Sequence, residues 1–591
     1  MLLILHEYTT TNKLNMNLFI RQILQMKKIS LLKPFLMCLL VMVVEISIAQ
    51  PASTPKNWYQ LDAYRDGFQG ISLAQALSKV SGKKSKTVVV AVIDSGVDAE
   101  HEDLKSVMWT NPGEVPGNGV DDDHNGYIDD VHGWNFIGGK NGNVSGDSYE
   151  VTRLYVKLKP KYENVDPSKL SKADKKEYET FLNCKSQVES RREAAEANLA
   201  AIKFSEKFIL DGLEMLKSKM GDQPLTTESI NNIDEGDSKS LSAAVAVAKN
   251  VLESNEEIRS VDQLKKLVVG EIEEGKKQFS DELNYAFNTA EDKRADIVGD
   301  RPDNVNEKYY GNNDVEGPDA EHGTHVAGII AAVRGNGIGM DGIATNVKIM
   351  SVRCVPNGDE RDKDVANAIR YAVDNGASVI NMSFGKGFSP NKDLVDEAVR
   401  YAASRDVLLV HAAGNSGADN DQTANFPNKY YLKKRFLHSN KAANWVEVGA
   451  STPFETPNIV ADFSNYGKKG VDLFSPGVQI YSTIPNNEYR FLQGTSMASP
   501  VVAGVAALIR SYYPQLTASQ VRKVLLNSVT EVPGQMNVPN QSNRKSLKEI
   551  SVTGGVVNAA KAMDVASKMK GRKKATGTSG NADGNSTGPK A

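Results

Sequence analysis

The sequence is poor in cysteine, with three cysteines among 591 residues. One of them, Cys38, lies in an apolar N-terminal segment that we expect to be removed, which leaves Cys184 and Cys354. Two cysteines cannot form the multiple cross-links that stabilise small secreted domains, so a disulfide framework is excluded. A single bond between Cys184 and Cys354 stays open as an alternative to two free thiols.

The sequence also lacks a strong excess of either charge, because 70 Lys and Arg residues nearly balance 73 Asp and Glu residues. The formal net charge of −3 gives no indication of nucleic-acid binding, which usually needs a basic surface. Apolar residues make up 40% of the chain, as in ordinary globular proteins, and the length allows two or three domains. We expect no nucleic-acid partner and no organic cofactor.

One long apolar run is present, at residues 29–48, and it follows two lysines at 27–28. A basic start, an apolar centre and a small residue such as Ala49 before the cleavage point are typical of a secretory signal peptide. We therefore predict that residues 1–49 are a signal peptide. The mature protein is then expected to be secreted, periplasmic or at the cell surface.

The alternative for this run is a membrane anchor. Pro34 and Glu45 interrupt the apolar run, which argues against a spanning helix, so we expect no stable membrane span after cleavage. The residues before Met26 are unusual for a signal peptide, whereas Met26 followed by two lysines is a typical beginning. We interpret Met26 as the true start of the protein.

A stretch rich in small residues precedes an apolar run near the C-terminal end of the sequence. Residues 494–500 read Gly-Thr-Ser-Met-Ala-Ser-Pro, and the run at 501–508 is long enough for a buried helix. Ser496 is thus predicted at a helix N-terminus, where free N–H groups and the helix dipole favour negative charge. This is a suitable place for a nucleophile. The alternative for the stretch alone is a buried helix of small residues.

A serine nucleophile needs a base, and the base needs a group that orients it. Asp94 ends the apolar, β-branched run 87–93, which is typical of a buried parallel strand. His322 begins a second apolar helical segment, and Asn415 follows the apolar run 407–413 in a glycine-rich turn. All three side chains are therefore predicted at strand ends or helix starts.

The motifs around these residues resemble those of a known enzyme family. They are Ala-Val-Ile-Asp-Ser-Gly at 91–96, His-Gly-Thr-His-Val-Ala-Gly at 322–328, Ala-Ala-Gly-Asn at 412–415 and Gly-Thr-Ser-Met-Ala-Ser-Pro at 494–500. The family is that of the subtilisin-like serine proteases, which also have the chain order Asp, His, Ser. The resemblance covers residues 78–147 and 299–560 and leaves out the segment between them.

The resemblance implies a role for each residue. Ser496 would be the nucleophile, His322 its base and Asp94 the group that orients the histidine. Asn415 would bind the oxyanion together with the backbone N–H of Ser496. The resemblance also implies a set of substrate-binding residues on an extended segment and a glycine turn: Ser383, Phe384, Gly385 and Gly414. The expected activity is that of a secreted serine endopeptidase acting on polypeptides.

Two alternatives concern the chemistry. His325 lies three residues after His322 and is a rival base, although the motif favours His322. A zinc site at this histidine pair is disfavoured, because helical zinc proteases space their histidines four residues apart. A catalytically idle binding or scaffold protein with the same fold is the alternative to an enzyme.

Apolar strand-like runs alternate with amphipathic helical segments, as at 347–353, 364–375 and 377–384. This alternation predicts an α/β fold with a doubly wound, mostly parallel sheet. Ligands of such sheets bind beyond the carboxyl ends of the strands, so we expect Asp94, Ser383 and Asn415 to converge there.

A change of composition divides the chain. Between 148 and 298 Lys, Glu, Ala and Leu dominate, glycine is sparse and no strand-like run occurs, which predicts a helical subdomain. The alternative is a solvated excursion without a role. The C-terminal tail lacks apolar residues and is predicted to be disordered. The predicted domains are a discontinuous catalytic domain at 50–147 and 299–568, a helical insertion at 148–298 and a disordered tail at 569–591.

An acidic segment follows the first predicted strand. Asp121, Asp123 and Asn125 alternate, a glycine allows a sharp turn, and Asp129 follows. This spacing of oxygen ligands is typical of a calcium loop, although His132 stands where an EF-hand has its glutamate. We predict a structural Ca²⁺ site formed by these four residues. The alternative is a solvated acidic turn.

Overall fold

The structure is a computed structural model that describes residues 54–254, 258–290, 292–434 and 439–571. The predicted signal peptide and residues 572–591 of the predicted tail lie outside the described residues. Within the described part of the chain, no helix combines the length and the apolar character needed to cross a membrane. The side chains of Cys184 and Cys354 are both buried, and no disulfide bond joins them.

The β-strands are short and are numbered in chain order. They are β1 (Val88–Asp94), β2 (Gly133–Asn135), β3 (Gly138–Gly139), β4 (Gly142–Asn143), β5 (Val347–Arg353), β6 (Val379–Met382), β7 (Leu408–Ala412), β8 (Trp445–Ser451), β9 (Leu473–Pro476), β10 (Ile480–Ile484), β11 (Glu488–Leu492), β12 (Thr530–Glu531), β13 (Met536–Asn537), β14 (Arg544–Lys545) and β15 (Gly555–Val556).

The helices are numbered in the same way. They are α1 (Leu73–Val80), α2 (Glu150–Tyr162), α3 (Lys172–Met220), α4 (Thr227–Asn231), α5 (Lys239–Ser254), α6 (Val261–Asp281), α7 (Arg294–Val298), α8 (Glu321–Ala331), α9 (Asp362–Asp374), α10 (Lys392–Ser404), α11 (Thr495–Tyr512), α12 (Ala518–Asn527), α13 (Leu547–Ile550) and α14 (Ala559–Lys568).

One large sheet organises the first compact unit, which comprises residues 55–150 and 292–571 of the described chain. Its nine strands lie in the order β12-β15-β9-β8-β7-β6-β1-β5-β2. Every neighbouring pair from β2 to β15 is parallel, and β12 alone pairs antiparallel, with β15. The prediction of a doubly wound, mostly parallel α/β sheet is therefore confirmed.

Both faces of the sheet are covered by helices, which explains why its strands are continuously apolar. Val90 and Val92 of β1 belong to a core shared with α1, α8, α11, α12 and α14, whereas Ala91 and Ile93 belong to a core shared with α9 and α10. Alternate side chains of one strand thus enter opposite cores, as the period of two in a β-strand requires.

The segment before the sheet is built into this unit. Trp58 is fully buried, and its Nε1–H donates to the carbonyls of Val478 and Gln479 at 3.1 Å each. Helix α1 then packs against α14 near the other end of the described chain. The lead-in is part of the main core of this unit.

The second compact unit contains the described residues between 151 and 290 and is entirely helical within that range. Its longest helix, α3, has 49 residues and spans about 74 Å at 1.5 Å per residue. Ser171 caps the start of α3 and Ser260 forms a capping box at the start of α6. Apolar side chains of α3, α5 and α6 form a core of their own, which includes Leu213, Leu241 and Leu264.

Candidate active site

The candidate site begins with Asp94, the last residue of β1, whose side chain is 2% exposed. Its Oδ1 accepts the backbone N–H of Ser95 at 2.8 Å and lies 2.6 Å from Nδ1 of His322. His322 is the second residue of α8, so a strand end and a helix start bring the two side chains together. The contact orients the imidazole with its other nitrogen, Nε2, away from the carboxylate.

Two glycines permit this close approach. A Cβ on Gly323 would lie 2.0 Å from the carbonyl oxygen of Gly96, which is far inside van der Waals contact. Gly96 itself has a φ of +131°, a conformation that residues with a side chain rarely adopt. The glycines beside Asp94 and His322 therefore allow α8 to begin against the end of β1.

The environment of His322 changes its basicity. Burial lowers the pKa of the imidazole, but the charge of Asp94 and its hydrogen bond raise it more, so the net pKa lies above its usual value. The side chain is nevertheless 38% exposed, so its free nitrogen is accessible to a substrate. This combination suits a general base that becomes transiently protonated.

The rival base has a different environment. His325 is fully buried, its Nε2 contacts the carbonyl of Arg490 at 3.1 Å, and its Nδ1 has no partner among the described residues. Burial lowers the pKa of His325 to about 3. This histidine is therefore neutral and enclosed, which does not favour proton transfer to a substrate.

Ser496 is the second residue of α11. Its hydroxyl donates to the carbonyl of Ser383 at 3.2 Å, and the hydroxyl of Ser383 donates to the carbonyl of Ser496 at 2.8 Å. Two residues that we did not single out from the sequence extend this network. Ser499 donates to Oδ1 of Asn381, and Nδ2 of Asn381 donates to the hydroxyl of Ser383. In the sequence, the indication of this network is Asn381, a polar residue inside an otherwise apolar strand.

Asn415 is oriented by the residue before the serine. Its Oδ1 accepts the backbone N–H of Thr495 at 2.9 Å and the Thr495 hydroxyl at 2.8 Å, which leaves the Nδ2 donors for another acceptor. A Cβ on Gly494 would lie 3.2 Å from Asn415 Nδ2 and 3.5 Å from the backbone nitrogen of Ser496. Both donors thus border one small space that the glycine keeps open.

The other predicted substrate-binding residues are Phe384, Gly385 and Gly414, and the N–H of Gly414 donates to the Thr495 hydroxyl at 3.1 Å. Phe384 and Gly385 follow Ser383 directly after β6, and the Phe384 ring meets the ring of His411 edge to face. Gly414, with a φ of +104°, leaves room for the amide of Asn465, because a Cβ there would lie 2.5 Å from its nitrogen.

The acidic segment forms a different group of carboxylates from the one predicted. Oxygens of Glu114, Asp123 and Asp130 lie within 4.8 Å of one another. Of the predicted ligands only Asp123 belongs to this cluster, and Glu114 and Asp130 were missed. In the described part of the chain none of the three pairs with a lysine or arginine. Asp123 and Asp130 accept hydrogen bonds from the amides of Asn111 and Asn125. Hard oxygens that no cationic side chain neutralises are the ligand type that Ca²⁺ prefers.

The remaining predicted ligands bind backbone N–H groups. Asp121 accepts the N–H groups of Asn125 and Gly126, and the amide oxygen of Asn125 accepts the N–H of Tyr127. Asp129 accepts three N–H groups from residues 117–119. These contacts fold the loop around the cluster.

Comparisons with known proteins agree with this arrangement. Residues 85–549 match the model of the subtilase family. The chain is 43% identical over 191 residues to the thermophilic serine proteinase of Bacillus sp. (strain AK1), which covers 32% of the chain and 42% of that protein. It is 40% identical over 215 residues to subtilisin DY of Bacillus licheniformis, covering 36% of the chain and 71% of that protein.

A third relative is subtilisin Savinase of Lederbergia lenta, 39% identical over 212 residues, which cover 36% of the chain and 71% of that protein. The match thus spans less than half of the first relative and about two thirds or more of the two subtilisins. The family match, in contrast, extends over most of the chain and includes every residue of the candidate site. On this evidence the chain belongs to the subtilase family.

Proposed function

We propose that the chain is a serine endopeptidase that hydrolyses peptide bonds through Asp94, His322 and Ser496. The observation that carries the proposal is the 2.6 Å contact between Asp94 and His322, together with the position of Ser496 at a helix N-terminus. Membership of the subtilase family supports it, as do the names of the relatives, which are a serine proteinase and subtilisins.

The reaction begins at the serine hydroxyl. Ser496 Oγ turns its proton from the carbonyl of Ser383 to Nε2 of His322 and attacks the substrate carbonyl carbon. His322 then gives this proton to the leaving amine, and water hydrolyses the acyl-enzyme by the same route in reverse. Asp94 holds the imidazole tautomer and stabilises the imidazolium form.

The negative charge of the tetrahedral intermediate is expected in the space beside Gly494. Asn415 Nδ2 and the backbone N–H of Ser496 border this space, and they are the proposed oxyanion donors. Because Thr495 occupies the amide oxygen of Asn415, the donor end of the amide faces the oxyanion without reorganisation. Removal of one such donor typically costs 10²–10³ in rate, about 2.7–4 kcal/mol, as measured in subtilisin.

Polypeptide substrates are proposed to bind in an extended conformation. The backbone of residues 383–385 and Gly414 would pair with the substrate backbone as an added strand, which recognises sequence only weakly. No charged side chain is among these residues, so selection for a charged substrate residue is not expected from them.

A serine-directed fluorophosphonate tests the proposal. We expect stoichiometric labelling at Ser496, with no labelling of Ser496→Ala or His322→Ala and retained labelling of His325→Ala. The double variant Ser496→Ala/His322→Ala should cleave casein no more slowly than either single variant, because the triad acts as a unit. A folded wild-type protein that is neither labelled nor active would instead be the idle scaffold.

We propose further that the cluster of Glu114, Asp123 and Asp130 holds a structural Ca²⁺ ion, with Asp121, Asn125 and Asp129 shaping or completing the site. The ion would supply positive charge to three converging carboxylates and would cross-link the loop. It has no part in the chemical step.

The organisation of the full chain remains a proposal as well. Residues 1–49 are proposed as a signal peptide for export, followed by the catalytic domain at 50–147 and 299–568, the insertion at 148–298 and the tail at 569–591. N-terminal sequencing of the exported protein should begin at Gln50; a start at Met1 or Met26 would contradict cleavage.

A further inference from the structure

A buried lysine, Lys386, lies three residues after Ser383, which contacts the proposed nucleophile Ser496. The side chain of Lys386 is 1% exposed, and its ammonium contacts Glu150 Oε2 at 2.8 Å and Asp362 Oδ1 at 2.9 Å. It also donates to the carbonyl of Glu360 at 2.7 Å. One cation therefore gathers two nearly buried carboxylates, which are 8% and 4% exposed.

The backbone of Lys386 is held as firmly as its side chain. Its N–H donates to the carbonyl of Phe426, and the N–H of Phe426 donates back, both at 2.9 Å. At the other end of the same short segment, Ser383 exchanges hydrogen bonds with Ser496. The proposed substrate-binding segment is thus fixed at one end by the nucleophile and at the other by the buried ion cluster.

Glu150 enters this cluster from a distant part of the sequence. It is the first residue of α2, 236 positions before Lys386, and its N–H donates to Asp359 Oδ2 at 2.8 Å. In the same region Arg361 binds Asp147 and Asp292. Asp147, Glu150 and Asp292 all belong to the sheet-containing unit, and each of them contacts residues 359–362 there.

A buried ion cluster of this kind responds strongly to the loss of one member. Without Glu150 the Lys386 ammonium keeps Asp362 but loses one of the carboxylates that compensate its charge in a buried site. The least costly response is a shift of Lys386 toward solvent, and this shift would move residues 383–387. A displacement of about 1 Å in a positioning segment is enough to reduce turnover substantially.

We propose that Glu150 is a positioning residue for extended peptide substrates, which acts through Lys386 on residues 383–387. This inference rests on the proposed protease function. It assigns a role in substrate binding to the last residue of the sheet-containing unit before the helical unit in the sequence.

The test compares two substrates in the full-length protein. A tetrapeptide anilide needs the extended segment, whereas a single-residue ester such as N-acetyl-tyrosine ethyl ester reacts at the nucleophile without it. We expect Glu150→Ala to raise KM for the tetrapeptide about tenfold and to leave kcat/KM for the ester within about twofold. Glu150→Gln keeps a hydrogen-bond acceptor for Lys386 and should lie between Ala and wild type.

Arg510→Met is the matched control. Arg510 pairs with Asp406, is 12% exposed and lies on α11 fourteen residues after Ser496, about 21 Å along the helix. The substitution Arg510→Met removes a partly buried ion pair from the same unit and leaves the contacts of residues 383–387 described above intact. We expect it to lower thermal stability but to leave the ratio of the two kcat/KM values unchanged.

Hydrogen exchange adds a readout that is independent of activity. The amide of Lys386 should lose protection in Glu150→Ala and keep it in Arg510→Met, because only the first variant loosens its bond to Phe426. An unchanged substrate ratio in Glu150→Ala, or an equal change in Arg510→Met, would overturn the positioning role. A wild-type protein that the fluorophosphonate does not label would instead refute the proposed function, and the inference with it.

Discussion

Oδ1 of Asp94 lies 2.6 Å from Nδ1 of His322, while Oδ2 of the same carboxylate is buried and has no hydrogen-bond partner among the described residues. The charge of the carboxylate is therefore directed almost entirely at the imidazole and at the N–H of Ser95. Such a carboxylate stabilises the protonated imidazole, which is the form that His322 takes after deprotonating the nucleophile.

The pH dependence of catalysis should report this pair. Because Asp94 raises the pKa of His322, the neutral base is lost as the pH falls through that raised value, and kcat/KM should fall with it. Asp94→Asn should move this acidic limb to lower pH and reduce kcat by about 10⁴-fold. Profiles of kcat/KM against pH for both proteins measure the effect; coincident limbs would mean that Asp94 does not control the pKa.

Thr495 should matter although it is not a member of the triad. Thr495→Val keeps the shape of the side chain but removes the hydroxyl that donates to Asn415 Oδ1. The amide then loses one of two contacts that orient it, and we expect kcat to fall about tenfold, equivalent to about 1.4 kcal/mol, with little change in KM. Asn415→Ala sets the upper limit, and a Thr495→Val variant with wild-type kcat would remove the orienting role.

Calcium should stabilise the folded protein. At a free ion concentration a hundredfold above Kd, binding adds about 2.7 kcal/mol to the free energy of unfolding. EDTA should therefore lower Tm, and Asp123→Asn should remove most of this sensitivity because Asp123 is common to the predicted ligands and to the observed cluster. Asp237→Asn, at an exposed aspartate outside the acidic segment, is the control. Identical melting curves of the wild type with and without EDTA would exclude the site.

The lead-in segment should be essential for stability. Trp58→Ala removes a fully buried indole and its two hydrogen bonds, so we expect the free energy of unfolding to fall by about 3–5 kcal/mol. Tyr64 lies in the same segment but is 92% exposed, and Tyr64→Ala should change stability by less than about 0.5 kcal/mol. Urea denaturation measures both, and equal small losses would show that the segment is not part of the core.

The sheet could be predicted from the sequence because buried strands and helices have a recognisable local pattern of apolar residues. The same pattern predicts that the side chains of the candidate site follow strands or begin helices. A buried strand ending in Asp94 and an apolar helix beginning near Ser496 are visible in a dozen residues each. The contacts of Lys386 are not, because its partner Glu150 lies in a region whose composition indicates only helix. Pairing of buried charges depends on tertiary structure, and the periodicity of apolar residues in the sequence does not predict it.

The carboxylate cluster shows the same limit on a shorter scale. The alternation of Asp121, Asp123 and Asn125 predicts oxygen ligands for a metal ion, but several of these oxygens bind backbone N–H groups of the loop itself. Glu114 joins the cluster from outside the motif because the chain turns back on itself there. The motif identifies candidate oxygen ligands, but the folded conformation of the loop determines which of these oxygens come close together.

The pairing of β1 with β5 has a consequence for how the molecule folds. Val88 and Val347 are partners in neighbouring strands of the sheet although roughly 260 positions separate them, and the helical unit lies between them in the chain. Closing a flexible loop of that length costs about 1.5 kcal/mol more than closing one of fifty residues. A helical unit has mostly local contacts and forms quickly, so it can collapse the intervening chain before the sheet assembles. The helical unit would then form first, and β1 and β5 would pair late in folding.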